Sequence, residues 1–110
     1  MELSRVEIFR AMMGQNITNV KELEGMVISP VGFHTHEYED ADGKTHSVLV
    51  IKNGKDGMLM KTEVQAFIKN FLAYDEAFGT LPDEEKPDII ITAKTSKKGN
   101  KYINFDVVDS

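Results

Sequence analysis

Asp88-Ile-Ile-Ile-Thr-Ala-Lys-Thr-Ser-Lys-Lys-Gly-Asn-Lys-Tyr-Ile-Asn-Phe-Asp106 is the stretch on which the reading of this chain turns. Two runs of β-branched and aromatic residues, Asp88 to Ser96 and Lys101 to Val108, flank the tight turn Lys97-Lys98-Gly99-Asn100. Glycine and asparagine supply the backbone freedom that such a turn needs. Lys94, Lys101 and Tyr102 stand beside it. The spacing predicts a hairpin whose tip presents cations and a ring. Within this hairpin, strand alternation gives Ile103, Phe105 and Val107 one parity, and we assign Phe105 to the core.

Working outward from the hairpin, the preceding residues predict three more strands and a helix. Gly25 to Tyr38 reads as one long bent strand, with Pro30 and Gly32 interrupting its ladder. Asp40-Ala41-Asp42-Gly43 is a turn, and Thr45 to Lys52 a second strand, apolar through Val48-Leu49-Val50-Ile51. After the turn Asn53 to Gly57 comes a short third strand, Met58 to Lys61. Thr62 is expected to open a helix, with Gln65 at capping-box spacing. Val64, Phe67, Ile68, Phe71 and Leu72 form its apolar stripe, and it ends near Gly79. Near the start of the sequence, Ser4 and Glu7 form a second capping box, and Gly14 closes a short helix over 4–13. Val6, Phe9, Met12 and Met13 recur on it at helical spacing. Too short to be stable alone, it is expected to dock outside the barrel, and on a second copy of the chain by preference.

The order is three strands, a helix and two strands. That order predicts a mainly β fold, a five-stranded OB-fold barrel with a helix between strands three and four. A five-stranded SH3-like barrel ranks second, because it does not usually hold a four-turn helix at that point. Residues 1–15 are expected to form a helical extension and residues 16–110 the barrel domain.

At 110 residues the chain is one domain, long enough for a core without staples. No cysteine is present, so disulfides and thiolate chemistry are excluded and a reducing cytoplasm is the natural setting. No apolar run is long enough to span a membrane, and no signal pattern opens the sequence. The net charge of −5 argues against a polyanionic partner only on average. The acids concentrate at Glu37 to Asp42 and Asp83 to Asp88, whereas 92–101 holds four lysines and no acid. Lys52 and Lys61 lie in a second lysine-rich stretch. Asp106 to Ser110 carries no acidic run.

The segment Lys94-Thr95-Ser96-Lys97-Lys98-Gly99-Asn100-Lys101-Tyr102-Ile103-Asn104-Phe105 resembles the Ser-Ser-Lys-Gly-Asn segment and aromatic strand of a known family. The family is that of the small single-stranded DNA-binding proteins of tailed bacteriophages that replicate by protein priming. Leu23-Glu24-Gly25, and the turn at Asp42-Gly43 with the strand that follows, are similar more weakly. The resemblance spans roughly residues 20–108. It implies sequence-independent binding of displaced single strands during DNA replication or recombination, without catalysis, in the cytoplasm of a bacterial host. Partners would be single-stranded DNA, replication proteins and a second copy joined as a homodimer through the N-terminal helix.

The residues themselves supply what a single strand needs, cations for phosphates and rings for bases. Candidate phosphate contacts are Lys52, Lys61, Lys94, Lys97, Lys98 and Lys101. Candidate stacking groups are Phe33, His36, Tyr38 and Tyr102, with a core position the competing reading for Phe33. His34, His36 and His46 make a pattern that zinc uses, but no cysteine joins them, and we read a polar strand face instead. No nucleophile–base pair, phosphate-cradling loop or apolar pair of carboxylates is legible, so neither an enzyme nor a cofactor is expected. The alternative is an OB-like interaction or structural module in which the basic hairpin serves solubility.

Overall fold

Seven strands and two helices make up the mainly β computed structural model, which describes residues 3–15 and 17–108. Residue 16, where the extension was expected to meet the barrel, and the last two residues of Asp106 to Ser110 lie outside the described residues. In chain order the elements are α1 (Arg5–Met12), β1 (Ile17–Asn19), β2 (Val27–Ile28), β3 (Pro30–Glu39), β4 (Thr45–Asn53), β5 (Leu59–Thr62), α2 (Gln65–Phe78), β6 (Ile89–Thr95) and β7 (Lys101–Val107). One sheet runs β1-β5-β4-β3 and the other β2-β6-β7.

The bent strand expected over 25–38 is present as β2 and β3, broken at Ser29, and each half serves a different sheet. Ile28 pairs with Ile89 of β6, while Pro30 pairs with Asn53 of β4. Asn53 fixes the corner. Its buried side-chain oxygen accepts from the backbone N–H of Ser29 (3.0 Å), and the Gly54 N–H donates to the Ser29 carbonyl (2.7 Å). A Cβ on Gly54 would lie 2.5 Å from a methyl of Val31, so a side chain there would force Val31 to shift.

The closed five-stranded barrel of the sequence reading is corrected here: the strands pair as two sheets. The reason lies at the free edge of β5, where β1 pairs in parallel, Ile17 opposite Leu59 and Asn19 opposite Lys61. With β1 on that edge, no ladder joins β5 to β7. A cleft of about 280 Å³ remains there, lined by Asn19, Lys21, Lys61, Thr62, Glu63, Val64 and Ile103.

Two apolar clusters hold the structure. The larger one joins both sheets and α2. Phe67 and Phe71 pack against Phe105, and the Tyr74 hydroxyl donates to the Pro87 carbonyl (2.7 Å). Burial pushes the Tyr74 phenol up to about 12. The smaller cluster lies on the other face of the first sheet, where Leu3, Ile8 and Ala11 cover Val48, Val50 and Leu59. The run Val48-Leu49-Val50-Ile51 is therefore buried at every position, as in a strand covered on both faces.

Both helices differ in detail from the sequence reading. The Ser4–Glu7 capping box of α1 is present, with Ser4 Oγ accepting from the Glu7 N–H at 3.1 Å. Its docked face is nevertheless Ile8 and Ala11, which pack on the first sheet, with Glu7 paired to Lys52 of β4 at 2.8 Å beside them. Val6, Phe9, Met12 and Met13 are 56–61% exposed. Thr62 ends β5, opposite Leu49, and its hydroxyl accepts from the Val64 N–H (3.1 Å). α2 thus begins three residues later than expected, and Leu72 lies 47% exposed.

Candidate nucleic-acid interface

The β6–β7 hairpin is set by its turn. The Ser96 N–H donates to the Asn100 carbonyl (2.8 Å), the Gly99 N–H to the Ser96 carbonyl (2.9 Å) and the Asn100 N–H to Ser96 Oγ (3.2 Å). Gly99 sits at φ +85°, which a side chain would strain. Lys97, Lys98 and Lys101 are exposed and form no ion pair among the described residues. Lys94 differs, since its ammonium lies 3.2 Å from Asp106. Register separates the rest. Lys94 stands opposite half-buried Tyr102, and Thr95 opposite Lys101, so Tyr102 and Lys101 belong to opposite faces of the ribbon. Phe105 is buried as expected, but Val107 of the same parity is 40% exposed and Asn104 of the opposite parity is buried.

A second feature lies between the end of α1 and the first sheet. Ala11, Met12, Met13 and Gly14 form one wall of a groove of about 350 Å³, and His36, Glu37, Tyr38, Val48, Lys61 and Glu63 form the other. Alternation puts His34, His36 and Tyr38 on the face of β3 that shares Val48 and Val50 with α1. Tyr38 lies flat over His46, ring centres 4.9 Å apart, and its hydroxyl donates to Glu63 at 3.1 Å. His46 in turn pairs through Nε2 with Asp40 (2.6 Å) and through Nδ1 with Glu63 (3.0 Å). The hydrogen bond to Asp40 raises the His46 pKa, and the same bond holds the Asp40 carboxyl below its usual range. Burial raises the Tyr38 phenol, with the Glu63 hydrogen bond next in weight. His36 moves the other way: burial lowers it, helped by His34 and Lys61. Its Nδ1 is buried with no hydrogen-bond partner among the described residues.

Of the expected contacts, the groove brings together His36, Tyr38 and Lys61. Lys61 also lines the cleft between β5 and β7, where Ile103 belongs to the strand that starts at Lys101. The groove and the cleft thus share Lys61 and Glu63, and Ile103 is the cleft's residue from the hairpin strand β7. Phe33 and Lys52 stand apart from both. Phe33 packs edge-on against Phe71 in the main core, ring centres 5.2 Å apart, and Lys52 is held by Glu7. Lys21 and Asn19 in the cleft, and Met12 and Met13 in the groove, were not singled out as site residues from sequence. Nothing local marks them, because a parallel β1 and the docked α1 are what bring them there. Among the described residues no cluster of His, Cys, Asp and Glu is arranged to hold a metal ion, and no helix is long and apolar enough to cross a membrane. No protein-family model, curated protein or solved structure matches this chain.

Proposed function

We propose that this chain is an OB-fold single-stranded DNA-binding protein of the kind that tailed bacteriophages use in DNA replication or recombination. It acts without catalysis or cofactor, independently of sequence, in the host cytoplasm. The observation that carries the reading is the acid-free lysine triad Lys97, Lys98 and Lys101 on the β6–β7 turn. Three cations on a fixed ribbon, unpaired among the described residues, suit a phosphate backbone, and Tyr102, on the other face of the ribbon from Lys101, offers a π-face that any base can use. Further support comes from the strand plan: a bent strand shared by two sheets and a helix between β5 and β6 would suit an opened OB arrangement. In this reading the strand runs from the hairpin along the β5–β7 cleft past Lys21 and Lys61 to His36 and Tyr38. Replication proteins, and a second copy through the N-terminal helix, are the protein partners.

The test is binding to oligo-dT and to a duplex of equal length, followed as salt is raised. Preferential retention of the single strand, with affinity falling steeply with salt, is the expected result. Equal or no binding of both at low salt would overturn the reading. The second reading, a protein-interaction module that binds no nucleic acid, is favoured by the unpartnered apolar stripe on α1.

A further inference from the structure

α1 has two unlike sides. Glu7, Ile8 and Ala11 meet the sheet. At 3.6 residues per turn, Arg5, Phe9, Met13, Val6 and Arg10 follow one another around the opposite side. The three apolar members of this ridge are 56–61% exposed, and the arginines flank them. Neither arginine forms an ion pair among the described residues. A single exposed apolar side chain needs no explanation, but a contiguous ridge with a polar rim marks a contact surface.

The same chain carries a surface of opposite character. Leu81, 38% exposed, precedes the single-turn segment Asp83–Glu85. Asp83 is engaged by Lys86 at 3.4 Å. Glu84 and Glu85 are exposed and unpaired among the described residues. We propose that the α1 ridge of one copy docks on the Leu81–Glu85 turn of a second copy, Phe9 against Leu81 and the two arginines facing the two glutamates. The patches are different surfaces, so the contact is heterologous. Each added copy presents a free turn or a free ridge to the next, and the assembly grows head to tail. The apolar centre is small, so the contact is weak between free molecules. Copies lined up on one strand would meet at high effective concentration, which would make coating cooperative. That last consequence rests on the strand-binding reading, whereas self-association does not. A nucleic-acid strand would also suit two arginines and a ring. The aliphatic and thioether share of the ridge, Val6 and Met13, favours a protein occupant, as does the acidic excess of the chain.

Sedimentation velocity of the full chain at low salt, without nucleic acid, tests this. The sedimentation coefficient is expected to rise with concentration up to about 1 mM. Phe9→Asp is expected to weaken association roughly tenfold or more. The pair Arg5→Glu and Arg10→Glu, and the pair Glu84→Lys and Glu85→Lys, should each leave a monomer. Mixing the two charge-reversed proteins should restore association, since each then offers what the other lacks. A parent that stays monomeric, a Phe9→Asp chain that associates normally, or a mixture that stays monomeric would each overturn the proposal. So would a Phe9→Asp chain whose only defect is weaker binding of one oligo-dT per monomer, which would assign the ridge to nucleic acid.

Discussion

The β6–β7 hairpin and the groove beneath α1 hold similar residue types in opposite circumstances. In the hairpin, Lys97, Lys98 and Lys101 stand without carboxylate partners among the described residues, on a ribbon ordered by backbone bonds. Around the groove, nearly every charged or ring group is already engaged. His46 lies between Asp40 and Glu63, Tyr38 is both stacked on His46 and bonded to Glu63, and beyond the groove Lys52 is held by Glu7. The exceptions are Lys61, a cation with no ion pair among the described residues, and His36, whose Nδ1 has no hydrogen-bond partner among them. A cation already paired inside the molecule gives a phosphate less, because its internal partner must be displaced first. The comparison teaches that availability, rather than residue type, separates an interface from a brace.

The largest effect should come from the available cations. Changing Lys97, Lys98 and Lys101 together to alanine should lower the magnitude of the log–log salt slope by about 2 and weaken oligo-dT binding on the order of a hundredfold near 50 mM salt. The deficit should shrink as salt rises. An unchanged slope would break the comparison at its stronger end.

Next in size are the rings. Tyr102→Ala should cost on the order of 1–3 kcal/mol of binding, and Tyr102→Phe almost nothing, because the π-face survives. Tyr38→Ala should cost less binding than Tyr102→Ala while loosening the β3–β4 end, since that ring is committed to His46 and Glu63. Fluorescence titration with thermal melts of the same samples gives both quantities. A larger binding loss at Tyr38 would invert the ranking of the two regions.

A smaller contrast compares two lysines of the first sheet. Lys61→Ala should reduce the salt slope by about 0.7, and Lys52→Ala should leave it unchanged. Loss of the Lys52–Glu7 pair, which is partly solvated, should cost below about 1 kcal/mol of stability. Equal slopes for the two variants would mean that the path along the cleft is wrong.

The subtlest expectation concerns pH. His46 is raised and His36 lowered, so across one NMR titration the two rings should move to opposite sides of the ordinary histidine value. The His46 contribution to stability is present below the unfolded histidine pKa and lost as pH rises through the raised folded value. That of Asp40 is present above the unfolded carboxyl value and lost as pH falls through the lowered one. The Asp42 and Lys44 amides, which donate to Asp40 at 2.9 Å, should therefore show their greatest protection from exchange, relative to free amides at the same pH, between those limits. Indistinguishable titration of His36 and His46 would remove the electrostatic half of the comparison.

Local chemistry was legible in the sequence and distant partnership was not. The β6–β7 turn, the core parity of Phe105, the Ser4–Glu7 box and the bend near Pro30 all depend on residues a few positions apart. The docked face of α1 does not. Val6, Phe9, Met12 and Met13 form the more hydrophobic stripe, yet Ile8 and Ala11 are the residues that pack on Val48, Val50 and Leu59. The all-apolar run in β4 is the one signal that both faces of that strand are covered. Three-residue β1 has no periodicity to read, and its parallel pairing with β5 is what keeps the sheets apart. Thr62 carries the spacing of a helix cap, but burial in the ladder opposite Leu49 assigns it to a strand.

The corner at Asn53 also bears on how the protein ages. Asn-Gly is the dipeptide in which the glycine nitrogen most readily attacks the side-chain amide, closing a ring that opens to aspartate or isoaspartate. In this corner the Gly54 N–H is committed to Ser29, and the Asn53 oxygen accepts from the amides of Ser29 and Lys55. Attack therefore requires the junction between the two sheets to open first. Each conversion would leave a carboxylate where a buried amide now holds the corner, so damage would make further opening easier. The rate at which isoaspartate accumulates at position 53 on storage would thus act as a slow chemical clock for separation of the sheets.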